Sequence, residues 1–545
     1  MNLRHRTNTR RIAACLAIAG LLSACTSKAA DSKAADPEVS RDAPLTVQTS
    51  SGQLQGTAAG SARQFLGVRY GQSVAGEHRW TNPVLAPQAS GVVPATKPGP
   101  SCAQAGTAPG AEATASTNED CLFLNVTTPK QLREDEKLPV MVWWHGGGYT
   151  SGSGAAYDAQ RLANRGHVMV VTVNYRLGVF GYLSLPGLPG SGNFGLADQI
   201  LATTWARQNA DAFGGDPGNI TVFGESAGGM SACALLTSPA ARDLVSKVAM
   251  SSGSCKLDWP NGGLAPGLPA QTPYTSLAAG EQFGQAQAKT LSCTGAAALN
   301  CLRGKPVAEL LKIFGNFSNV LTYGTPLLPK DLSRALDDGD VADGVRVLSG
   351  GNQNEQAAIV AGVQSVKPFY TAATYPTLLK EAFGANASKV AAQYPLDGYP
   401  NAASAFAQLV TDASWACPTL RGNAALAGHG VAVFGYEFAD PDSPNVNGVP
   451  TKEVKQGAAH ATDVPYLFDL TGKNLLKTAA QQALANQMID YWTSFARSGT
   501  PSATDAPGWP QLTGADGPTL QLAPTTKPVD LAAEHHCGLW ATIDF

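Results

Sequence analysis

The sequence predicts an α/β protein: a central, mostly parallel sheet flanked by helices. Three observations carry the prediction. Short apolar runs rich in β-branched residues alternate with longer helical patterns. The runs are continuously apolar, as strands covered on both faces are. The 545 residues are 44% hydrophobic and only 14% charged, against about 25% charged in an average soluble domain. Such a chain buries a large core and does not stay disordered.

The N-terminus comes first. Residues 1–24 carry Arg4, Arg6, Arg10 and Arg11, no acidic residue, and an apolar run at residues 12–22. That run is too short to span a bilayer and has the length of a secretory signal's hydrophobic region. It ends in Leu22-Ser23-Ala24-Cys25, which resembles the bacterial lipobox. This resemblance implies a lipid on Cys25, and Thr26 after it implies the outer membrane. The competing expectation is ordinary cleavage near Ala29 or Ala30, giving a periplasmic or secreted protein. Residues 25–44 are small, polar and low in complexity, so they read as a flexible tether. Removing the four arginines of residues 1–24 from the 38 basic residues leaves 34 against 41 acidic, a balance of −7. A broad nucleic-acid footprint is excluded, because it needs a basic surface.

From residue 45 the strand-like runs are LPVMVWW (138–144), VMVVTV (168–173), ITVF (220–223), VRVL (345–348) and VAVFGYEF (431–438). Helix-like stretches fall between them, at residues 195–213 and 229–236. Length alone suggests about three or four domains, but residues 45–545 contain no internal repeat and no linker-like break.

Gly224-Glu225-Ser226-Ala227-Gly228 follows ITVF directly and precedes a helical stretch; it is the one Gly-x-Ser-x-Gly in the chain. A nucleophilic Ser on a strained strand-to-helix turn needs small flanking residues there. Its place at a helix N-terminus surrounds the oxygen with free N–H groups. An ordinary Gly-rich turn would have the same letters. His145-Gly146-Gly147-Gly148 ends the run LPVMVWW; consecutive glycine N–H groups can converge on an oxyanion, although a plain turn is again possible.

A serine nucleophile needs a base, and the base an orienting carboxylate. Of eight His residues, His5 lies in the signal, His145 in the Gly-rich loop, and His535 and His536 beside a C-terminal Cys. His460 follows VAVFGYEF in a loop, and Glu355 follows VRVL, between Ser226 and His460 in chain order. Position alone would also suit a surface His and a solvated Glu.

Taken together, the sequence resembles the type-B carboxylesterases, the α/β-hydrolase family that includes cholinesterases and fungal lipases. The resemblance runs from Gln53 to about Cys537. It rests on EDCLFLNV (119–126), HGGG, NYRLG (174–178), GNFGLADQ (192–199), FGGDP (213–217) and the Ser, Glu and His motifs in order. It implies a Ser226, Glu355, His460 triad, with Gly147, Gly148 and Ala227 as oxyanion-hole donors. It implies too that Glu225 lines the gorge near His460 and that Ser252 hydrogen-bonds the Glu355 carboxylate. Two positions depart from the family pattern: Gln356 stands where Gly usually follows the acid, and Asp463 where Glu usually stands three residues after the His. Both affect local geometry and remove no catalytic atom.

The same resemblance implies disulfides Cys102 with Cys121, Cys293 with Cys301, and Cys417 with Cys537. Cys233 and Cys255 are left over, either free and buried or paired with each other. No CxxC or Cys-His spacing supports a metal site, and no cofactor is expected. Because Ser226, Glu355 and His460 are 129 and 105 residues apart and must converge, residues 45–545 read as one catalytic domain.

The expected activity is hydrolysis of a small-molecule carboxylic ester through an acyl-enzyme. Membrane contact is expected only through the lipid anchor. Residues 103–120 contain no aromatic side chain, whereas cholinesterases place a Trp in the corresponding loop to hold a quaternary ammonium; choline esters are therefore not the expected substrate. The Pro- and Gly-rich stretch 257–276 is expected to shape an acyl pocket around Trp259. Alternatives within the fold are a lipase, a thioesterase, a peptidase or a non-catalytic adhesion-type member.

Overall fold

The computed structural model describes residues 40–545, except 107–114, 319, 515–516 and 544. The signal and lipidation expectations, including Cys25, lie outside the described residues, as does most of the tether.

The centre is an eleven-stranded sheet. In chain order its strands are β1 (Thr57–Ala59), β2 (Ala62–Arg69), β3 (Phe123–Pro129), β4 (Leu138–Trp144), β5 (Met169–Val173), β6 (Gly215–Glu225), β7 (Lys247–Ser251), β8 (Arg346–Asn352), β9 (Ala432–Phe438), β10 (Thr519–Leu522) and β11 (Lys527–Val529). Across the sheet they run β1-β2-β3-β5-β4-β6-β7-β8-β9-β10-β11. Strands β5 through β10 in that order are mutually parallel; β1, β2 and β3 at one edge and β11 at the other are antiparallel. The predicted parallel sheet is thus present, with antiparallel margins that the apolar-run pattern did not reveal.

Continuous apolarity along the strands has a direct structural use. In β4, Val140, Val142 and Trp144 enter the core on one face of the sheet, while Met141 and Trp143 enter a second core on the other. Helix α1 (Phe194–Asn209) corresponds to the stretch read at 195–213, whose last residues form a tight 3-10 turn instead. Helix α2 (Ala227–Thr237) follows β6 immediately and is buried along its whole length. Helix α3 (Ala402–Val410) passes through a π-helical segment, Thr411–Ala416, into α4 (Cys417–Gly428). Helix α5 (Ala479–Ser498) covers the second core with Leu484, Met488, Ile489, Trp492 and Phe495. Reciprocal bonds between Thr478 and Gln481 cap its start, and Gly499, at φ 77°, ends it in the left-handed conformation.

The quoted motifs hold the loops above the sheet. Arg176 of NYRLG makes a buried two-pronged pair with Asp198 of GNFGLADQ, at 2.8 and 2.7 Å. Arg79 pairs likewise with Glu119 at 2.5 and 2.6 Å. In a parallel block all strands end on the same edge, so the loops after β6, β8 and β9 share one side of the sheet.

Candidate active site

Ser226 occupies the single residue between β6 and α2, at φ 54° and ψ −122°. A non-glycine residue rarely adopts that region, and the surrounding contacts hold it there. Its N–H donates to the Ser251 carbonyl at the end of β7 (2.9 Å) and its own carbonyl accepts from Met230 in the first turn of α2 (2.8 Å). The flanking glycines are obligatory on steric grounds: a Cβ on Gly228 would lie 1.9 Å from the Trp144 carbonyl oxygen, and one on Gly224 would lie 2.6 Å from the Gly228 backbone.

His460 reaches the serine from the loop after β9, with Nε2 2.8 Å from Ser226 Oγ. Its Nδ1 lies 2.6 Å from Glu355 Oε2. The other carboxylate oxygen of Glu355 accepts from Ser252 Oγ at 2.5 Å and from the Asn352 N–H at 2.7 Å. The two loops are stitched together: Asn352 Nδ2 donates to the Ala459 carbonyl (2.6 Å), and the His460 N–H to the Glu355 carbonyl (3.3 Å). Asn447 Nδ2 bonds the His460 carbonyl at 2.8 Å.

Three buried carboxyl groups surround this one imidazole. Besides Glu355, Glu225 Oε1 stands 3.2 Å from His460 Nε2. Nε2 is directed at Ser226, so Glu225 Oε1 is buried without a hydrogen-bond partner among the described residues. Burial pushes the Glu225 carboxyl up to about 8, opposed by His460 and reinforced by Asp463 and Glu355. Burial likewise lifts Asp463 to about 6, aided by Glu355 and opposed by a bond from Asn352. Burial alone would lower His460, but the negative charge of Glu225 and Glu355 raises it to about 9.

The loop 145–148 lies against the serine. A Cβ on Gly146 would meet Glu225 Oε2 at 2.6 Å and Ser226 Cβ at 3.0 Å. Gly147 and Gly148 have φ of 102° and 58°, backbone that turns their amides in a way other residues resist. His145 anchors the loop: its ring stacks on Tyr175 with centroids 4.3 Å apart, and Nδ1 sits 2.8 Å from the Gly146 oxygen. Complete burial lowers its pKa to about 4, so it is neutral near pH 7. Ala227 opens α2, where its N–H has no intrahelical acceptor. Beside the loop is a cavity of about 310 Å³, lined by Gly146, Gly147, Glu225, Asn447, Ala461 and Tyr157 among others.

A family model described as the carboxylesterase family matches residues 43–540. The chain belongs to that family. This carboxylesterase is 32% identical over 478 residues to the para-nitrobenzyl esterase of Bacillus subtilis (strain 168), covering 85% of the chain and 92% of that protein. It is 31% identical over 501 residues to a fumonisin B1 esterase of Sphingopyxis macrogoltabida (86% and 85% covered) and 31% identical over 492 residues to a human cocaine esterase (84% and 83% covered). A solved structure titled as a thermophilic pNB esterase superposes with TM-score 0.74 at 28% identity, covering 91% of this chain and 99% of the other. The fold is therefore the α/β-hydrolase fold and the reaction is carboxylic-ester hydrolysis.

Among the described residues the carboxylesterase also contains four disulfides. Cys102–Cys121, Cys293–Cys301 and Cys417–Cys537 are joined, and Cys233–Cys255 form the fourth pair, which resolves the alternative left open for those two. Sequence reasoning passed over Trp415, whose ring centroid lies 4.9 Å from that of His460. It sits in the π-helical segment, and no motif marks it. The role of Gln356 also went unread: its side chain is fully buried and bonded to Trp415 Nε1 at 3.0 Å. Trp259 packs edge to face against Trp415, with centroids 5.1 Å apart.

Proposed function

We propose that Ser226 is the nucleophile of this ester hydrolase, His460 its general base and acid, and Glu355 the group that orients and charge-stabilises the imidazole. Ser226 Oγ attacks the ester carbonyl carbon while His460 Nε2 takes the hydroxyl proton. The amides of Gly147, Gly148 and Ala227 receive the oxyanion. Collapse of the tetrahedral species returns the proton to the leaving alcohol and leaves an acyl-serine. Water, deprotonated by the same imidazole, then releases the acid and regenerates Ser226.

The observation that carries this reading is the continuous chain from Ser226 Oγ to His460 Nε2 (2.8 Å) and from His460 Nδ1 to Glu355 Oε2 (2.6 Å). Ser252 and Asn352 act as positioning groups for Glu355. Glu225 tunes the base from the side of the cavity. A fluorophosphonate probe tests the assignment: it should label Ser226 and abolish turnover of a para-nitrobenzyl or para-nitrophenyl ester, and Ser226→Ala should be inert. Normal turnover by Ser226→Ala would overturn it. A non-catalytic member would not label at all.

We further propose that residues 1–24 are an export signal, that Cys25 carries a lipid anchor, that residues 25–44 form a tether, and that residues 45–545 act as one catalytic domain. Four disulfides support an oxidising compartment. Among the described residues no helix is long and apolar enough to cross a membrane, so Cys25 is the proposed attachment. Mass spectrometry of the mature N-terminus tests this: a diacylated Cys25 supports it, and an unmodified terminus at Ala30 or Asp31 overturns it.

A further inference from the structure

The backbone just after His460 is strained. Ala461 has φ 66°, in the left-handed region that a residue with a Cβ resists. Its own conformational preference therefore pulls against the peptide that joins it to His460, and contacts from elsewhere have to hold that peptide. On the N-terminal side the acid's loop supplies them. Asn354 and Ala459 form a parallel bridge, Asn352 Nδ2 donates to the Ala459 carbonyl at 2.6 Å, and the His460 N–H donates to the Glu355 carbonyl at 3.3 Å. On the C-terminal side the chain turns back at once: the N–H and hydroxyl of Thr462 both donate to the Ala459 carbonyl, at 3.1 and 2.7 Å. The strained peptide between them presents the His460 carbonyl to Asn447, whose Nδ2 donates to it at 2.8 Å.

Asn447 comes from a loop with supports of its own. Gln481 of α5 donates to the Asp442 carbonyl at 2.8 Å, and Asn401, which caps the start of α3, donates to the Glu453 carbonyl at 2.7 Å. Ser443 Oγ closes the base of the loop on the Gly457 carbonyl (2.6 Å), and Asn445 Nδ2 crosses its tip to the Val449 carbonyl (2.8 Å). None of these anchors belongs to the triad. The amide of Asn447 thus reaches His460 from an independently fixed post.

The imidazole follows its own backbone. A rotation of the peptide that relaxes Ala461 also swings the His460 side chain, and with it the 2.8 Å approach of Nε2 to Ser226 Oγ. Glu355 holds His460 twice, at Nδ1 and at the backbone N–H. Two contacts with one partner leave a residue able to pivot about the line that joins them, and a third contact on the carbonyl stops the pivot. We propose that Asn447 is a positioning residue for the base: it holds the strained peptide after His460 and so keeps Nε2 directed at Ser226. This rests on the triad reading above.

Asn447→Leu keeps the bulk and removes the donor, whereas Asn447→Asp keeps the shape and turns an acceptor toward the carbonyl. Steady-state kinetics with para-nitrophenyl acetate should show kcat lowered about tenfold or more in both, as expected for a displaced catalytic group, with KM within about twofold of wild type. Ala461→Gly, added to Asn447→Leu, removes the strain that the bond opposes and should restore most of the lost kcat. A residue that merely stabilises the loop would give no such rescue. Should Asn447→Leu fail to fold, the isosteric Asn447→Asp is read through the same rescue. Unchanged kcat, a change confined to KM, or a loss that Ala461→Gly does not restore would each overturn the proposal. Fluorophosphonate labelling of the wild type separates the two readings. With Ser226 labelled, any of those results sinks only the Asn447 proposal; labelling of another residue sinks the triad and this proposal with it.

Discussion

Glu225 Oε1 lies 3.2 Å from His460 Nε2, the same nitrogen that meets Ser226 Oγ at 2.8 Å. His460, the proposed base, is therefore flanked by carboxylates at both of its nitrogens. A protonated His460 is favoured by both charges, and only the neutral imidazole can take the serine proton. With His460 raised to about 9, kcat/KM should climb with pH through the neutral range and level off in the alkaline range. In Glu225→Gln the neighbouring charge is gone, and the acid limb should move down by about one pH unit. A pH profile of kcat/KM with a soluble ester checks this; a limb that stays in place would show that Glu225 does not set the base.

Ser252 donates to the oxygen of Glu355 that does not face His460. Ser252→Ala should cost about 1.5 kcal/mol of transition-state stabilisation, roughly tenfold in kcat, with KM little changed because Ser252 touches no substrate. Steady-state kinetics on a short ester measure it.

A methyl group at position 228 would collide with the Trp144 carbonyl at 1.9 Å. Gly228→Ala should destabilise the protein by about 3 kcal/mol or more and abolish labelling of Ser226. Gly428, in the last turn of α4, has nothing within 4 Å of its would-be Cβ, and Gly428→Ala should stay within about 0.5 kcal/mol of the wild type. Denaturant titration of the two variants gives the comparison.

Away from the triad, His535 lies buried between Asp412 at 2.6 Å and Glu437 at 2.5 Å. Burial would lower its pKa, but the bonds to Asp412 and Glu437 lift it to about 10. The unfolded chain has an ordinary histidine near 6.5. A folded value above the unfolded one means that its contribution is complete below about pH 6.5 and fades as pH rises to about 10. The melting temperature should fall over that range, and His535→Gln should lower it at pH 6 while flattening the slope. An unchanged slope in the variant would assign the pH dependence to other groups.

Much of this was legible before any coordinate. The strands β4, β5, β6, β8 and β9 were visible because strands buried on both faces have to be apolar throughout, and Ser226 was visible because its turn admits only glycine at two neighbours. Glu355 and His460, the proposed acid and base, are picked out by their order along the chain, and the structure brings both beside Ser226. What escaped were contacts that no local pattern encodes. Gln356 meets Trp415 across 59 residues and Leu264 across 92, and neither residue type announces a partner. The short antiparallel strands β1 and β11 carry three residues each, too few for a periodicity. Asp463 looked like a shortened Glu; only its burial beside Glu355 shows that it adds to the charge around the base.

The four disulfides differ in how much chain each encloses. Three join cysteines 19, 22 and 8 residues apart, whereas Cys417 and Cys537 are separated by 120. In a chain that emerges N-terminus first, each of the three short bridges has both its thiols available within a brief interval of elongation. The fourth has to wait for residue 537. Closing it ties Cys537, at the start of a short helical turn, to Cys417, the first residue of α4, so the segment bearing Trp415 is covalently secured beside α4 only after residue 537 has emerged.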